Sequence, residues 1–109
     1  MSDTPQRREH FRIDFPPSER PTLLFEGRSH TVIDLSESGL KAHWSSTDLP
    51  FVGNRVDGLI TFQDGSKNDI SGKVIRAQGA TVIIKLIEGI PYPKMLEEQR
   101  RLIRKFKDV

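Results

Sequence analysis

Asp69-Ile70-Ser71-Gly72-Lys73-Val74-Ile75-Arg76 (DISGKVIR), followed after Gln78-Gly79 by Thr81-Val82-Ile83-Ile84-Lys85-Leu86-Ile87 (TVIIKLI), decides the fold class. In the first run Ile70, Gly72 and Val74 fall on alternate positions, the period of two that marks a strand with one buried face. The second run is dense in β-branched residues, which pack well on a pleated surface. A Gln-Gly step between them supplies the turn, so the pair predicts an antiparallel hairpin.

The pattern continues outward in both directions. Arg55 to Phe62 (RVDGLITF) puts Val56, Gly58, Ile60 and Phe62 on one side, and Asp64-Gly65 turns the chain into the opening run. Further back, Leu40 to Trp44 alternates, His30 to Leu35 (HTVIDL) precedes it, and Thr22 to Glu26 (TLLFE) ends at Gly27. Six short strands with no helix among them predict an all-β domain. In so small a chain, closing the sheet into an antiparallel barrel removes exposed edges. Gly58 and Gly72 inside strands suit the bends of such a barrel.

After Gly89 the character changes. Pro93 suits a helix's first turn, and Met95, Leu96, Leu102, Ile103 and Phe106 recur at helical spacing. This predicts a C-terminal helix over 92–107 that covers the barrel mouth, with Glu97 and Arg101 as an i,i+4 pair. The 109 residues therefore divide into an N-terminal arm over 1–15, a barrel over 20–88 and the helix, all one domain. Pro16-Pro17 and sparse apolar residues predict that the arm is mobile.

Composition narrows the function. The chain has no cysteine, which excludes disulfides and thiolate metal sites. The longest apolar run is three residues, too short to cross a bilayer, and the N-terminus does not read as a signal peptide. These features predict a soluble, cytoplasmic protein. His10, His30 and His43 stand at no metal-ligand spacing, no Gly-rich phosphate loop opens a helix, and no serine sits in a nucleophile elbow. A binding protein is expected, with no enzymatic activity, metal or cofactor.

Charge gives the binding chemistry. Net charge is only +2 at a sequence pI near 9.2, but the cations cluster. Arg7, Arg8 and Arg12 crowd one end, and Arg100, Arg101, Arg104, Lys105 and Lys107 the other. Clustered arginines suit an anionic partner. Alone, Arg8-x-x-x-Arg12 reads as a solvated basic tail. Asp34-x-Ser36-x-x-Gly39 alone reads as a hairpin turn, with Gly39 supplying a positive φ.

Together, and in this order around a predicted small barrel, the two motifs resemble those of the PilZ family. The resemblance runs from Gln6 to the C-terminal helix and includes Gly72-Lys73-Val74-Ile75-Arg76, similar to the family's Gly-x-Val-x-Arg strand. Thr81 to Leu86 departs from it, since many members carry a glycine there and end in phenylalanine.

The resemblance implies a receptor for cyclic di-GMP, a bacterial second messenger with two guanines and two phosphates, bound through Arg7, Arg8, Arg12, Asp34, Ser36 and Gly39. The chemistry of those residues suits the ligand. Arginine offers bidentate donors to phosphate or to the guanine O6/N7 edge and stacks on purines. The Asp34 carboxylate can accept from guanine N1–H and N2–H, Ser36 can donate to a phosphate oxygen, and Gly39 lets the ligand approach the backbone. Arg7, just before the first motif arginine, is compatible with a stacked ligand dimer. Phe11 is expected to anchor the arm, and Trp44 to pack in the core or at its rim. Ordering of the arm on the ligand would then present a surface to a downstream effector protein. Two other readings remain. One is a PilZ-like protein-interaction adaptor that binds no ligand. The other is an OB-like barrel on nucleic acid, disfavoured because aromatics are few and the cations gather at the chain ends. Binding to nucleic acid polymers and insertion into membranes are not expected.

Overall fold

The computed structural model describes residues 11–106. Seven strands and one helix follow in chain order: β1 (Arg12–Asp14), β2 (Thr22–Phe25), β3 (Arg28–Ser36), β4 (Gly39–His43), β5 (Arg55–Thr61), β6 (Lys67–Gln78), β7 (Thr81–Glu88) and α1 (Tyr92–Phe106). All pairings are antiparallel, in the order β3-β2-β5-β6-β7-β4, and a β3–β4 pairing closes the ring. This is the expected six-stranded barrel. Among the described residues no helix is long and apolar enough to cross a membrane.

The seventh strand was not expected. β1 pairs with the last third of β3, Arg12 opposite Ser36 and Asp14 opposite Asp34, beyond the stretch that β2 occupies on the same strand. Its central Ile13 is buried, and so is Phe15 just after it. Phe11, Ile13 and Phe15 alternate, and that alternation drives the pairing. The arm expected over 1–15 therefore ends before Arg12, and residues 1–10 lie outside the described residues. Phe11 packs edge-on against Tyr92 of α1, with ring centroids 5.8 Å apart, a favourable geometry for two aromatic quadrupoles.

Inward residues of every strand fill the barrel. Leu23, Val32, Leu35, Val56, Ile60, Val82 and Ile84 are fully buried, and each contributes roughly 1.5–3 kcal/mol by leaving water. The strand glycines do their work by close approach. A Cβ on Gly58 would lie 2.8 Å from Leu23 Cδ1 and 2.9 Å from the Leu24 carbonyl oxygen, and one on Gly72 would collide with the Lys85 carbonyl. At the β2–β3 turn, Glu26 and Gly27 both take positive φ, as a tight type I′ hairpin requires.

The helix departs from its expected face. Met95 and Glu98 are its buried residues, whereas Ile103 and Phe106 are exposed. Arg101 does not pair with Glu97. It donates to both oxygens of Glu98, at 3.1 and 3.2 Å, and to Glu19 Oε1 at 2.8 Å. Lys105 Nζ lies 3.0 Å from Glu19 Oε2, and Lys94 bonds Asp64 in the β5–β6 turn at 3.1 Å. The helix is thus held by ionic contacts to the short 3-10 turn Pro17–Glu19 and to that hairpin turn. A pure apolar-face reading misses this, because a desolvated carboxylate that finds a guanidinium packs as well as a leucine.

Candidate functional site

Irregularities in β3 and β6 decide which side chains face outward. In β3 the register shifts between Val32 and Asp34, placing Ile33 as an extra residue. A bulge of one residue reverses the inside–outside parity beyond it. Val32 and Leu35 therefore both enter the core with no exposed area, while Asp34 and Ser36 turn to the outer surface. Without the bulge, Asp34 would share the inward face with Val32.

On that outer surface the predicted residues meet. Arg12 stands opposite Ser36 across β1–β3, Asp34 opposite Lys41 across β3–β4, and Gly39 opposite Lys85 across β4–β7. Arg12, Ser36, Ser38 and Gly39 line one side of an open depression of about 590 Å³, and Ile75, Ile83 and Lys85 line the other. Arg7 and Arg8 lie outside the described residues.

Asp34 is the electrostatic centre of the group. Its side chain retains 11% of its exposure, and Arg12, 62% exposed, reaches it only at 4.0 Å. That separation is beyond hydrogen-bond range, and among the described residues no donor bonds the carboxylate. Burial is the main reason its pKa rises above the usual carboxylate range; Arg12 opposes the rise, Asp14 adds to it and Lys41 opposes it. A desolvated acceptor with open lone pairs and a neighbouring exposed guanidinium is primed for a ligand carrying both N–H donors and an anionic group.

The turn between β3 and β4 is held from within and from behind. Ser36 Oγ accepts from the Ser38 N–H at 3.3 Å and donates to the Gly39 carbonyl at 3.4 Å. The Leu86 N–H donates to the Ser38 carbonyl at 2.9 Å. Gly39 does not take the positive φ expected of it: among the described residues only Glu26, Gly27, Gly53, Gly65 and Gly79 do. A Cβ there would meet Ser36 Oγ at 3.6 Å and the Ile84 carbonyl at 3.8 Å, ordinary contact distances. The backbone does not demand glycine at this position.

Five lining residues, Ser38, Ile75, Ile83, Ile84 and Lys85, lie outside the predicted set. Lys85 was visible as the polar outward position of TVIIKLI. Ile75 was hidden by a second bulge, in β6, where Val74 faces Ile84 but Arg76 faces Ile83. Another concavity, of about 610 Å³, opens at the opposite end of β3 around Arg28, His30, Trp44 and Arg55. Its cationic and imidazole groups are engaged: Arg28 with Ser46, His30 with Ser45 and Arg55 with Asp57 and Ser71. Trp44 is buried and stacks on His30 at 3.7 Å, as a packing residue. Of the motif residues, Arg12, Ser36 and Gly39 line the other depression, with Asp34 4.0 Å from Arg12, and the chemistry favours that one.

The family model that matches this chain is the PilZ domain, over residues 6–107. Among solved structures, an uncharacterized Legionella protein is similar, with a TM-score of 0.54 at 13% identity, over 91% of this chain and 96% of its own. The PilZ domain of CeSA from a cellulose-synthesizing bacterium aligns with a TM-score of 0.50 at 18% identity, over 89% of this chain and 98% of its own. At these identities the structural likeness speaks for the fold. A comparison with curated proteins finds no match.

Proposed function

The chain belongs to the PilZ domain family, and from that premise we propose that it is a cyclic di-GMP receptor whose ligand sits over the outward face of β1, β3, β4 and β7. PilZ domains are generally cyclic di-GMP-binding adaptors. The observation that carries the reading for this chain is Asp34, a largely buried carboxylate to which no described residue donates a hydrogen bond, with Arg12, on the wall of an open depression, 4.0 Å away.

Asp34 accepts from the guanine N1–H and N2–H edge, where it recovers the hydrogen bonds that burial denies it. Arg12 swings from its loose contact with Asp34 to a phosphate or to the guanine O6/N7 edge. Ser36 lends its hydroxyl to a phosphate oxygen, and Gly39 leaves the backbone open to the ring. Arg7 and Arg8, outside the described residues, belong to the same proposed ligand set and supply further guanidinium groups for the phosphates, with a stacked ligand pair as the larger alternative.

Coupling to an effector protein runs through the connection to α1. The turn that carries Ser36 and Gly39 is bonded to Leu86, Gly89 lies against the Glu37 carbonyl, and Phe11 packs on Tyr92. The Ser36–Gly39 turn and Phe11 thus abut residues 86–92, so ordering the N-terminal arm on a ligand would alter what that end of the barrel offers a partner. Calorimetric titration with cyclic di-GMP tests the reading. Saturable binding is expected, weakened at least tenfold by Arg8→Ala, Arg12→Ala and Asp34→Ala with melting temperatures unchanged. An absence of heat at tens of micromolar, with the protein folded, would refute it and leave the ligand-free adaptor in its place.

A further inference from the structure

The far wall of the depression is built from residues that neither ligand motif contains. In β6 two residues, Ile75 and Arg76, stand where β7 offers only Ile83. The extra residue, Ile75, is pushed to the outer surface and is 53% exposed. It shares the depression with the half-buried Ile83 on the adjacent strand. Two neighbouring isoleucines facing water from a closed barrel present a flat apolar shelf, and the bulge that creates it is a local device of the kind that re-aims side chains at sites.

Lys85 stands beside this shelf. Its register partners are Lys73 on β6 and Gly39 on β4, the latter with no side chain to cover it, and Lys85 forms no ion pair among the described residues. Lys94, Arg101 and Lys105, by contrast, are each committed to carboxylates. From β1 to β7 is three strand spacings, about 14 Å, so Arg12 and Lys85 flank the depression from opposite sides.

Resting on the cyclic di-GMP reading, we propose that Ile75 and Lys85 complete the cradle: the Ile75–Ile83 shelf takes the face of one guanine, and Lys85 neutralises the phosphate farther from Arg12. The two halves then divide the ligand. Arg12 and Asp34 read one base edge and one phosphate, while the apolar shelf and the free ammonium hold the remainder through contact area and charge.

Calorimetry with cyclic di-GMP on the full chain separates this from the parent reading. Lys85→Met, which keeps the aliphatic stem, is expected to weaken binding by about fivefold to tenfold, and Lys85→Arg to restore it. Ile75→Ser is expected to weaken binding at least about threefold while Ile75→Val retains it; both positions are solvent-facing, so melting temperatures stay at the wild-type value. If the wild type binds, Arg12→Ala abolishes binding, and either Lys85→Met or Ile75→Ser binds within twofold of wild type, the second wall is refuted and the receptor reading stands. A wild type that does not bind refutes both.

Discussion

Arg101→Met tests how the helix is held. Arg101 bonds Glu98, which is fully buried, and Glu19, which is 4% exposed and lies 82 residues away in the chain. Methionine keeps much of the stem and removes the guanidinium, leaving two desolvated carboxylates short of a partner. Removing one member of a buried ion pair costs about 3–5 kcal/mol. Here Lys105 stays 3.0 Å from Glu19 and Lys94 stays 3.8 Å from Glu98, and Arg101 itself keeps 23% of its side-chain exposure. The expected loss therefore falls to about 2–3 kcal/mol. In a domain of this size that lowers the melting temperature by roughly 8–12 °C. Urea unfolding and a thermal scan measure it, and adding Glu98→Gln should return about half of the loss by removing one unpaired charge. The acid side gives an independent sign. Hydrogen bonds from Arg101 and then Lys105 hold Glu19 below the usual carboxylate range, against the opposing effect of burial. Its stabilisation is complete above the ordinary carboxylate value and disappears as pH falls through the depressed one. The gap between wild type and variant should accordingly narrow in acid. A loss under about 0.5 kcal/mol, or a gap independent of pH, would show that water already solvates these carboxylates.

Cyclic di-GMP affinity should fall as pH drops through the raised pKa of Asp34, approaching tenfold per pH unit below it, about 1.4 kcal/mol; Asp34→Asn should bind weakly with a flat profile, and parallel profiles would exclude the carboxylate as the acceptor. The same raised pKa makes the Asp34 contribution to folding favourable in acid and lost as pH rises from its ordinary value through the folded one, so Asp34→Asn should raise the melting temperature at neutral pH and lose that advantage in acid. Gly72→Ala should cost about 2 kcal/mol or more, read by urea unfolding, because its Cβ meets the Lys85 carbonyl with Ile84 Cγ2 at 2.9 Å and Leu86 Cα at 3.1 Å; an unchanged midpoint would contradict the close approach. Gly39→Ala should shift stability by under about 0.5 kcal/mol, since its Cβ meets only ordinary contacts, yet weaken cyclic di-GMP in calorimetry; a large stability loss would make this glycine a requirement of the turn.

The barrel strands were legible because period-2 runs such as Val82, Ile84 and Leu86 need no knowledge of the partner strand. β1 was not, although Phe11, Ile13 and Phe15 alternate. Three residues pair on one edge only, and the adjacent Pro16-Pro17 masks the signal. Charge-buried positions were equally opaque. Glu98 reads as the solvated face of an amphipathic helix until Glu19 and Arg101, far apart in sequence, are brought to it. Of the site, Arg12, Asp34, Ser36 and Gly39 could be picked through the resemblance of their two motifs to those of the PilZ family, but their meeting on one surface depends on Ile33. The trace of that bulge is Val32 and Leu35 both buried at a separation of three, and Val74 with the half-buried Ala77 repeats it in β6.

The two bulges also explain how the barrel tolerates a poorly satisfied carboxylate. Each reverses parity without opening the core, so Val32, Leu35, Val74 and Ile84 remain buried on strands whose other faces carry Asp34, Ile75 and Lys85. Stability comes from the inward set, of which only Ile84 reaches the depression, and from the Glu19–Arg101–Glu98 network under α1. The outward set is then free to hold a carboxylate to which no described residue donates, an arginine only loosely paired with it, an apolar shelf facing water and a lysine without an ion pair among the described residues, each of which costs a little in the free protein. On the proposed reading, a ligand with two purines and two phosphates would relieve these together, so that free energy withheld from folding would become available to binding. Replacing Asp34 or Ile75 with residues that suit water should therefore leave the barrel as stable or more stable while binding weakens, the opposite of what a purely structural role would produce.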